Sequence, residues 1–178
     1  MSPRHPDYPA RISALLVELG IPIDYPMKRH LPLQPEAASL ESVGPDDAGR
    51  DCLLIAPAAE AWRSMRAAAA KSGVVLIPLS GFRSVERQTE IVRGKLALGE
   101  KVEHVLQSIA APGYSEHHTG RAIDVGTPGV LPLEEVFVTT AAYAWLARHA
   151  GEFGFHMSYP RRNPHGFVFE PWHWCWRA

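Results

Sequence analysis

The chain has little cysteine, no long apolar run and almost no net charge, and each shortage removes a class of protein. Only two cysteines, Cys52 and Cys175, occur in 178 residues. They can pair or stay free, but two cysteines in a chain of this size do not make a disulfide scaffold. No segment approaches the ~18 consecutive apolar residues of a membrane helix. The N-terminus, M-S-P-R-H-P-D-Y-P, lacks the apolar stretch of a signal peptide. The chain as read is therefore expected in the cytoplasm, with the periplasm or cell wall as the alternative for a chain trimmed of its signal. A formal net charge of −1 leaves no basic footprint for nucleic acid and no strong pull towards an acidic membrane surface. Internal repeats and low-complexity tracts are also missing.

What is present fits one globular domain over residues 1–178. The apolar fraction is 46% and the charged fraction 21%, ordinary for a soluble chain. Residues 8–20 have a helical apolar rhythm that stops at Gly20. Residues 21–50, rich in proline and acidic groups, read as an irregular arm, so that 1–50 form a helix plus an N-terminal arm. Pro57 to Ser72 reads as an alanine-rich helix, and V-V-L-I-P-L at 74–79 as a buried strand. A helix follows Ser84, its N-cap. A short helix is expected over Val102–Ile109, broken by Ala-Pro-Gly. R-A-I-D-V reads as a strand with Ala122 and Asp124 on one face, because strand side chains alternate. Thr139 to Gly151 reads as a helix, and G-F-V-F-E with W-H-W-C-W as a strand pair or one bent strand. Helices and strands mix without a βαβ repeat, which predicts an α+β fold with a small, mainly antiparallel sheet flanked by helices.

The chemistry gathers at Y-S-E-H-H-T-G-R-A-I-D-V, residues 114–125, and at F-E-P-W-H-W near the end. His117, Asp124 and His173 are two imidazoles and a carboxylate, the kind of set that holds a catalytic zinc while leaving a fourth position for water. Zinc lowers the pKa of such water to about 7. Glu170 is placed to be the carboxylate that takes the proton and returns it to a leaving amine. There is no H-E-x-x-H, so this is not the helical zincin arrangement. Glu170 and His173 differ by three and would point to opposite faces of a regular strand. Pro171 between them is where the chain can bend. Gly120 can supply the turn that lets His117 meet Asp124. From the segment alone, His117 and His118 are equivalent. Cys175 shares the parity of His173 and is a possible zinc ligand, though a small buried hydrophobe is the plainer reading. The W-H-W-C-W cluster can equally be an aromatic core around one histidine. His5, His30, His104, His149, His156 and His165 read as surface or satisfied histidines.

Three segments together resemble a known family. S-E-H-H-T-G-R-A-I-D fits S-x-H-x-x-G-x-A-x-D, F-E-P-W-H-W fits E-x-W-H, and S-G-F-R-S-V-E-R-Q fits S-G-[FY]-R-S with a glutamine five residues after the arginine. In this order they resemble the VanY-type zinc D-alanyl-D-alanine carboxypeptidases, in a group that includes lysostaphin-type peptidases and the hedgehog signalling domain. The resemblance covers residues 80–174, with the Gly154-Phe155 and Tyr159-Pro160 pairs. It implies one catalytic Zn2+ on His117, Asp124 and His173, with Glu170 as base and acid. It implies Arg83 as the oxyanion stabiliser, and Gln88 and Ser115 as holders of the substrate's carboxylate or backbone. It makes His117 the ligand and leaves His118 lining the cleft or facing solvent.

Two places depart from the family's pattern: Ser158 stands where an arginine often precedes Tyr-Pro, and Cys175-Trp176 where Arg-Tyr often follows. The first 79 residues show no match and can form a cap that sets substrate length. The implied function is hydrolysis of the D-Ala-D-Ala bond of peptidoglycan-type peptides. The alternatives are L,D-carboxypeptidase or endopeptidase action on such peptides, and a zinc-containing binding or signalling module without turnover.

Overall fold

The computed structural model describes residues 7–178; His5 and the start of the N-terminal segment lie outside them. Helices α1 (Tyr8–Glu18) and α2 (Tyr25–Lys28) open the described chain, each with a proline in its first turn, where the missing N–H is no loss. A hairpin follows, β1 (Glu41–Pro45) with β2 (Asp51–Leu54), then α3 (Ala56–Lys71), β3 (Ile77–Ser80), α4 (Val85–Ala97) and α5 (Val102–Val105). The rest comprises β4 (Ala122–Gly126), α6 (Ala141–His149), β5 (Phe155–Met157) and β6 (His173–Trp176), with 3-10 turns before β4, α6 and β5. The fold is α+β. Four strands form one antiparallel sheet in the order β3-β4-β6-β5, and β1-β2 form a separate two-stranded sheet.

Two apolar clusters form the core, and the sheet belongs to the first. Ile123, Val125 and Trp174 pack with Trp62 and Met65 of α3, Leu146 of α6 and Phe155 of β5. In the second, α1, α4 and α5 close over Ile12, Leu16, Val85, Val92 and Val105. All five residues of β4 are buried. Alternation sends Ile123 and Val125 into the first cluster and Ala122 and Asp124 to the opposite face.

Some expectations needed correction. The arm at 21–50 contains α2 and β1. Asp46 closes the hairpin by accepting from the amides of Ala48 and Arg50 at 2.9 and 2.8 Å, and Val43 is buried beneath it. G-F-V-F-E is not a strand. The Asn163 side chain donates to the Phe167 carbonyl at 2.8 Å and accepts from the amides of His165 and Phe167. This local closure diverts the backbone groups a ladder would use. The partners of β6 are therefore β4 and β5. The helix after Lys101 is shorter than expected, ending at Val105. Ser84 does cap α4, accepting from the Arg87 amide at 3.1 Å.

Candidate active site

Asp124 lies mid-sheet, opposite His173 of β6 and Ser80 of β3. Directly opposed residues of an antiparallel pair share a face, so Asp124 and His173 meet because of their register. Their closest side-chain atoms, Oδ1 and Nδ1, are 3.1 Å apart. His117 arrives from the 3-10 turn Glu116–Thr119, which Ser115 caps by accepting from the His117 amide at 3.3 Å. Gly120 ends that turn at φ +63°, and a Cβ there would meet Leu40 at 2.9 Å and Ile55 at 3.1 Å. Only glycine fits both the conformation and the space. The chain then enters β4, and His117 Nε2 comes 3.3 Å from Asp124 Oδ2.

One ligand atom from each of His117, Asp124 and His173 lies within 4.8 Å of the others, and all three residues are buried. The remaining ring nitrogens have acceptors of their own. His117 Nδ1–H donates to the Gly81 carbonyl at 2.7 Å, and His173 Nε2 lies 2.9 Å from Glu116 Oε2. This leaves Nε2 of His117 and Nδ1 of His173 turned towards Asp124, the arrangement expected of metal-holding histidines. The donor set fits a zinc ion. Burial works against charge on Asp124, yet the two imidazoles hold its carboxyl well below the usual range. Burial likewise opposes a proton on His173, and its bonds to Asp124 and Glu116 reverse that, raising its pKa.

Glu170 reaches the same cleft through a turn. The His173 amide donates to the Glu170 carbonyl at 3.1 Å across Pro171 and Trp172, so the bend expected at proline is a reverse turn before β6. Burial raises the Glu170 carboxyl to about 7, against the pull of His173. Arg83 lines the cleft with its guanidinium held from behind, donating to Gln88 Oε1 and Ser80 Oγ, each at 3.1 Å. Gln88 also donates to the Ala110 carbonyl at 2.6 Å, so both ends of its amide are engaged. Ser115 and Gln88 line the cleft, which encloses about 500 Å³ with Tyr159, Phe167, Val168 and Trp172 in its walls.

Three residues carry parts the sequence did not assign correctly. His118 neither lines the cleft nor faces solvent: it is fully buried. Its Nδ1–H donates to the Arg83 carbonyl at 2.6 Å and its Nε2 accepts from the Gly113 amide at 3.0 Å, tying the loop before His117 to the segment carrying Arg83. Gly81 has backbone so near Leu53 that a Cβ would sit 2.5 Å from the Leu53 oxygen. Glu116, an unassigned position of the S-x-H pattern, contacts His173; its adjacency to a ligand was the one available signal. Cys175 and Cys52 are free and buried, and Cys175 lies outside the metal-holding group. His149 pairs with Glu152, and His165 bonds the Arg29 carbonyl, as expected of satisfied histidines.

The chain is similar to known proteins over most of its length. It is 37% identical over 120 residues to YodJ of Bacillus subtilis (strain 168), covering 65% of this chain and 43% of that protein. To a D-alanyl-D-alanine carboxypeptidase of Enterococcus faecalis (strain ATCC 700802 / V583) it is 32% identical, covering 60% of this chain and 42% of the relative. It thus spans less than half the length of these relatives. Among solved structures, the LdcB LD-carboxypeptidase superposes with a TM-score of 0.72 at 30% identity, over 82% of this chain and 71% of that one. VanYB in complex with D-alanine-D-alanine superposes with a TM-score of 0.64 at 27% identity, over 80% and 78%. The family model for VanY, D-alanyl-D-alanine carboxypeptidase, matches residues 52–178, reaching well before the first motif. A match over that much of the chain establishes membership: this protein belongs to the VanY family of D-alanyl-D-alanine carboxypeptidases.

Proposed function

We propose that the protein is a zinc-dependent carboxypeptidase that removes the terminal D-alanine from peptidoglycan-type peptides ending in D-Ala-D-Ala. The observation that carries this reading is the convergence of His117, Asp124 and His173 in one cleft with Glu170 and Arg83. Zinc bound by the three residues would supply a water acidic enough to attack at neutral pH and would polarise the scissile carbonyl. Glu170, a buried carboxyl facing the same cleft, accepts the proton of the attacking water and delivers it to the leaving amine. Its raised pKa suits both halves of that task. The guanidinium of Arg83 opposes the negative charge that grows on the carbonyl oxygen. Gln88 and Ser80 hold it in place beforehand, so little reorganisation is left for the reaction itself. Ser115 and the cleft-facing part of Gln88 contact the substrate's terminal carboxylate or backbone.

Two solved relatives frame the substrate. A point mutant of the vancomycin-resistance D,D-pentapeptidase VanY was solved in complex with Zn(II), and VanYB was solved with D-alanine-D-alanine. A second reading, L,D-carboxypeptidase action on a tetrapeptide, is favoured by the likeness to LdcB. The deciding experiment is mass spectrometry of defined pentapeptide and tetrapeptide stems after incubation with zinc-loaded protein. Loss of one D-alanine from the pentapeptide alone is expected. Loss from the tetrapeptide alone selects the L,D reading, and no cleavage of either removes both.

A further inference from the structure

Glu116 stands next to one candidate ligand in sequence and against the other in space. Its place in the turn Glu116–Thr119 carries its carboxylate across to β6, where Oε2 lies 2.9 Å from His173 Nε2. The Ser158 hydroxyl donates to the same oxygen. Cys175, two residues beyond His173 on the same face of β6, also reaches this carboxylate. Serine and cysteine are uncharged. Among the described residues the Glu116 carboxylate is bonded by Ser158 and His173 and not by a guanidinium, Arg177 acting on it only through its charge.

An imidazole can hold a metal through either nitrogen, and its ring can turn over about the Cβ–Cγ bond to exchange them. His173 faces Asp124 through Nδ1. Only a fixed acceptor behind the ring keeps the proton on Nε2 and the Nδ1 lone pair forward. His117 has a neutral acceptor in that role, the Gly81 carbonyl. His173 has an ionised one, which polarises the ring more strongly and makes Nδ1 the better donor. The Tyr159 ring, 4.7 Å from that of His173, limits tilt. Glu116 is not part of the cleft. With Cys175 it lines a different hollow, beside Arg121, Trp176 and Arg177, that shares no lining residue with the cleft. Its carboxylate meets the candidate metal-holding group at His173.

We propose that Glu116 is a positioning residue for the metal centre, fixing the tautomer and ring orientation of His173 by accepting the Nε2 proton. This rests on the reading of His173 as a metal ligand. The test uses the full chain, with zinc affinity measured by chelator competition for wild type, Glu116→Gln, Glu116→Ala and His173→Ala. The side-chain nitrogens are followed by 15N NMR in the zinc-loaded protein. Both Glu116 variants are expected to bind zinc about 10- to 100-fold more weakly. The His173 Nε2 proton, deshielded and slow to exchange in wild type, should move upfield in Glu116→Gln and exchange fast in Glu116→Ala, with the His117 signals unmoved. Wild-type affinity in Glu116→Gln overturns the proposal. So does weaker binding with the His173 signals unmoved, or with those of His117 moved equally, which would mark general loosening. If Glu116→Ala does not fold, the isosteric Glu116→Gln decides alone. Wild-type zinc affinity in His173→Ala would instead overturn the metal-site reading itself.

Discussion

Two adjacent histidines do different work because their neighbours differ. His117 turns Nε2 towards Asp124, whereas both nitrogens of His118 are spent on backbone. His117→Ala is expected to abolish zinc binding and activity. His118→Ala should keep zinc bound but destabilise the protein, since it strands the Gly113 amide and the Arg83 carbonyl. Zinc content and thermal melting of both variants check this; equal loss of zinc would mean the register has been misread. Burial lowers His118 to about 4 from an ordinary 6.5. A depressed folded pKa gives stability that is present above about 6.5 and lost as pH falls towards 4, worth about 3 kcal/mol over the window. Urea unfolding near the two ends of that window should show a larger loss for wild type than for His118→Gln. Glu170 carries the opposite shift, up to about 7, and as a base it must be ionised. Hydrolysis should therefore decline on the acid side, below about 7, and Glu170→Gln should lower kcat by about 10²- to 10⁴-fold with zinc retained. A variant with full turnover would remove Glu170 from the mechanism.

Elements, rather than single residues, decide where these groups meet. The Asp124–His173 pair depends on the β4–β6 register, and a slip of one residue would put Asp124 among the packed apolar side chains. Gly120 controls the entry into β4. Gly120→Ala forces a left-handed backbone on alanine and a Cβ into Leu40 and Ile55. It is expected to cost about 1–3 kcal/mol and to weaken zinc binding through a displaced His117; denaturant midpoints and zinc titration read the two effects. This scale also divides what was legible in the sequence from what was not. β4 was legible in R-A-I-D-V as a strand with Ala122 and Asp124 on one face, α4 announced its serine cap, and Pro171 marked the turn that unites Glu170 with His173. The β1 strand, E-S-V-G-P, has no alternation to betray it, because a hairpin turn and one buried valine hold it. G-F-V-F-E has the aromatic and β-branched residues of a strand and yet is none, because Asn163 captures its backbone. The roles of His118 and Glu116 were hardly legible, beyond the adjacency of Glu116 to a ligand, since both depend on partners distant in the chain: Arg83 for one, His173 for the other.

Across the whole molecule, α3 and α6 pack on one face of the ligand-bearing sheet, and α1, α4 and α5 close a second apolar cluster of their own. Trp62, fully buried in the first cluster, is expected to cost about 3–5 kcal/mol when replaced by alanine, with the sheet and hence zinc affinity failing together. The candidate ligands come from a turn and two strands, so zinc can bind tightly only when these are assembled. At zinc about 1,000-fold above its Kd the folded state gains about 4 kcal/mol. Chelation should therefore lower the melting temperature by roughly 10 °C for a chain of this size; an unchanged melt would show that no ion is held. The three ligand side chains are reached from the cleft, whose walls also include Glu170 and Arg83. An ion and a peptide would thus share an entrance. An inhibitor lodged in that cleft should act as a stopper, making the ion slow to leave even when a chelator in solution favours its departure.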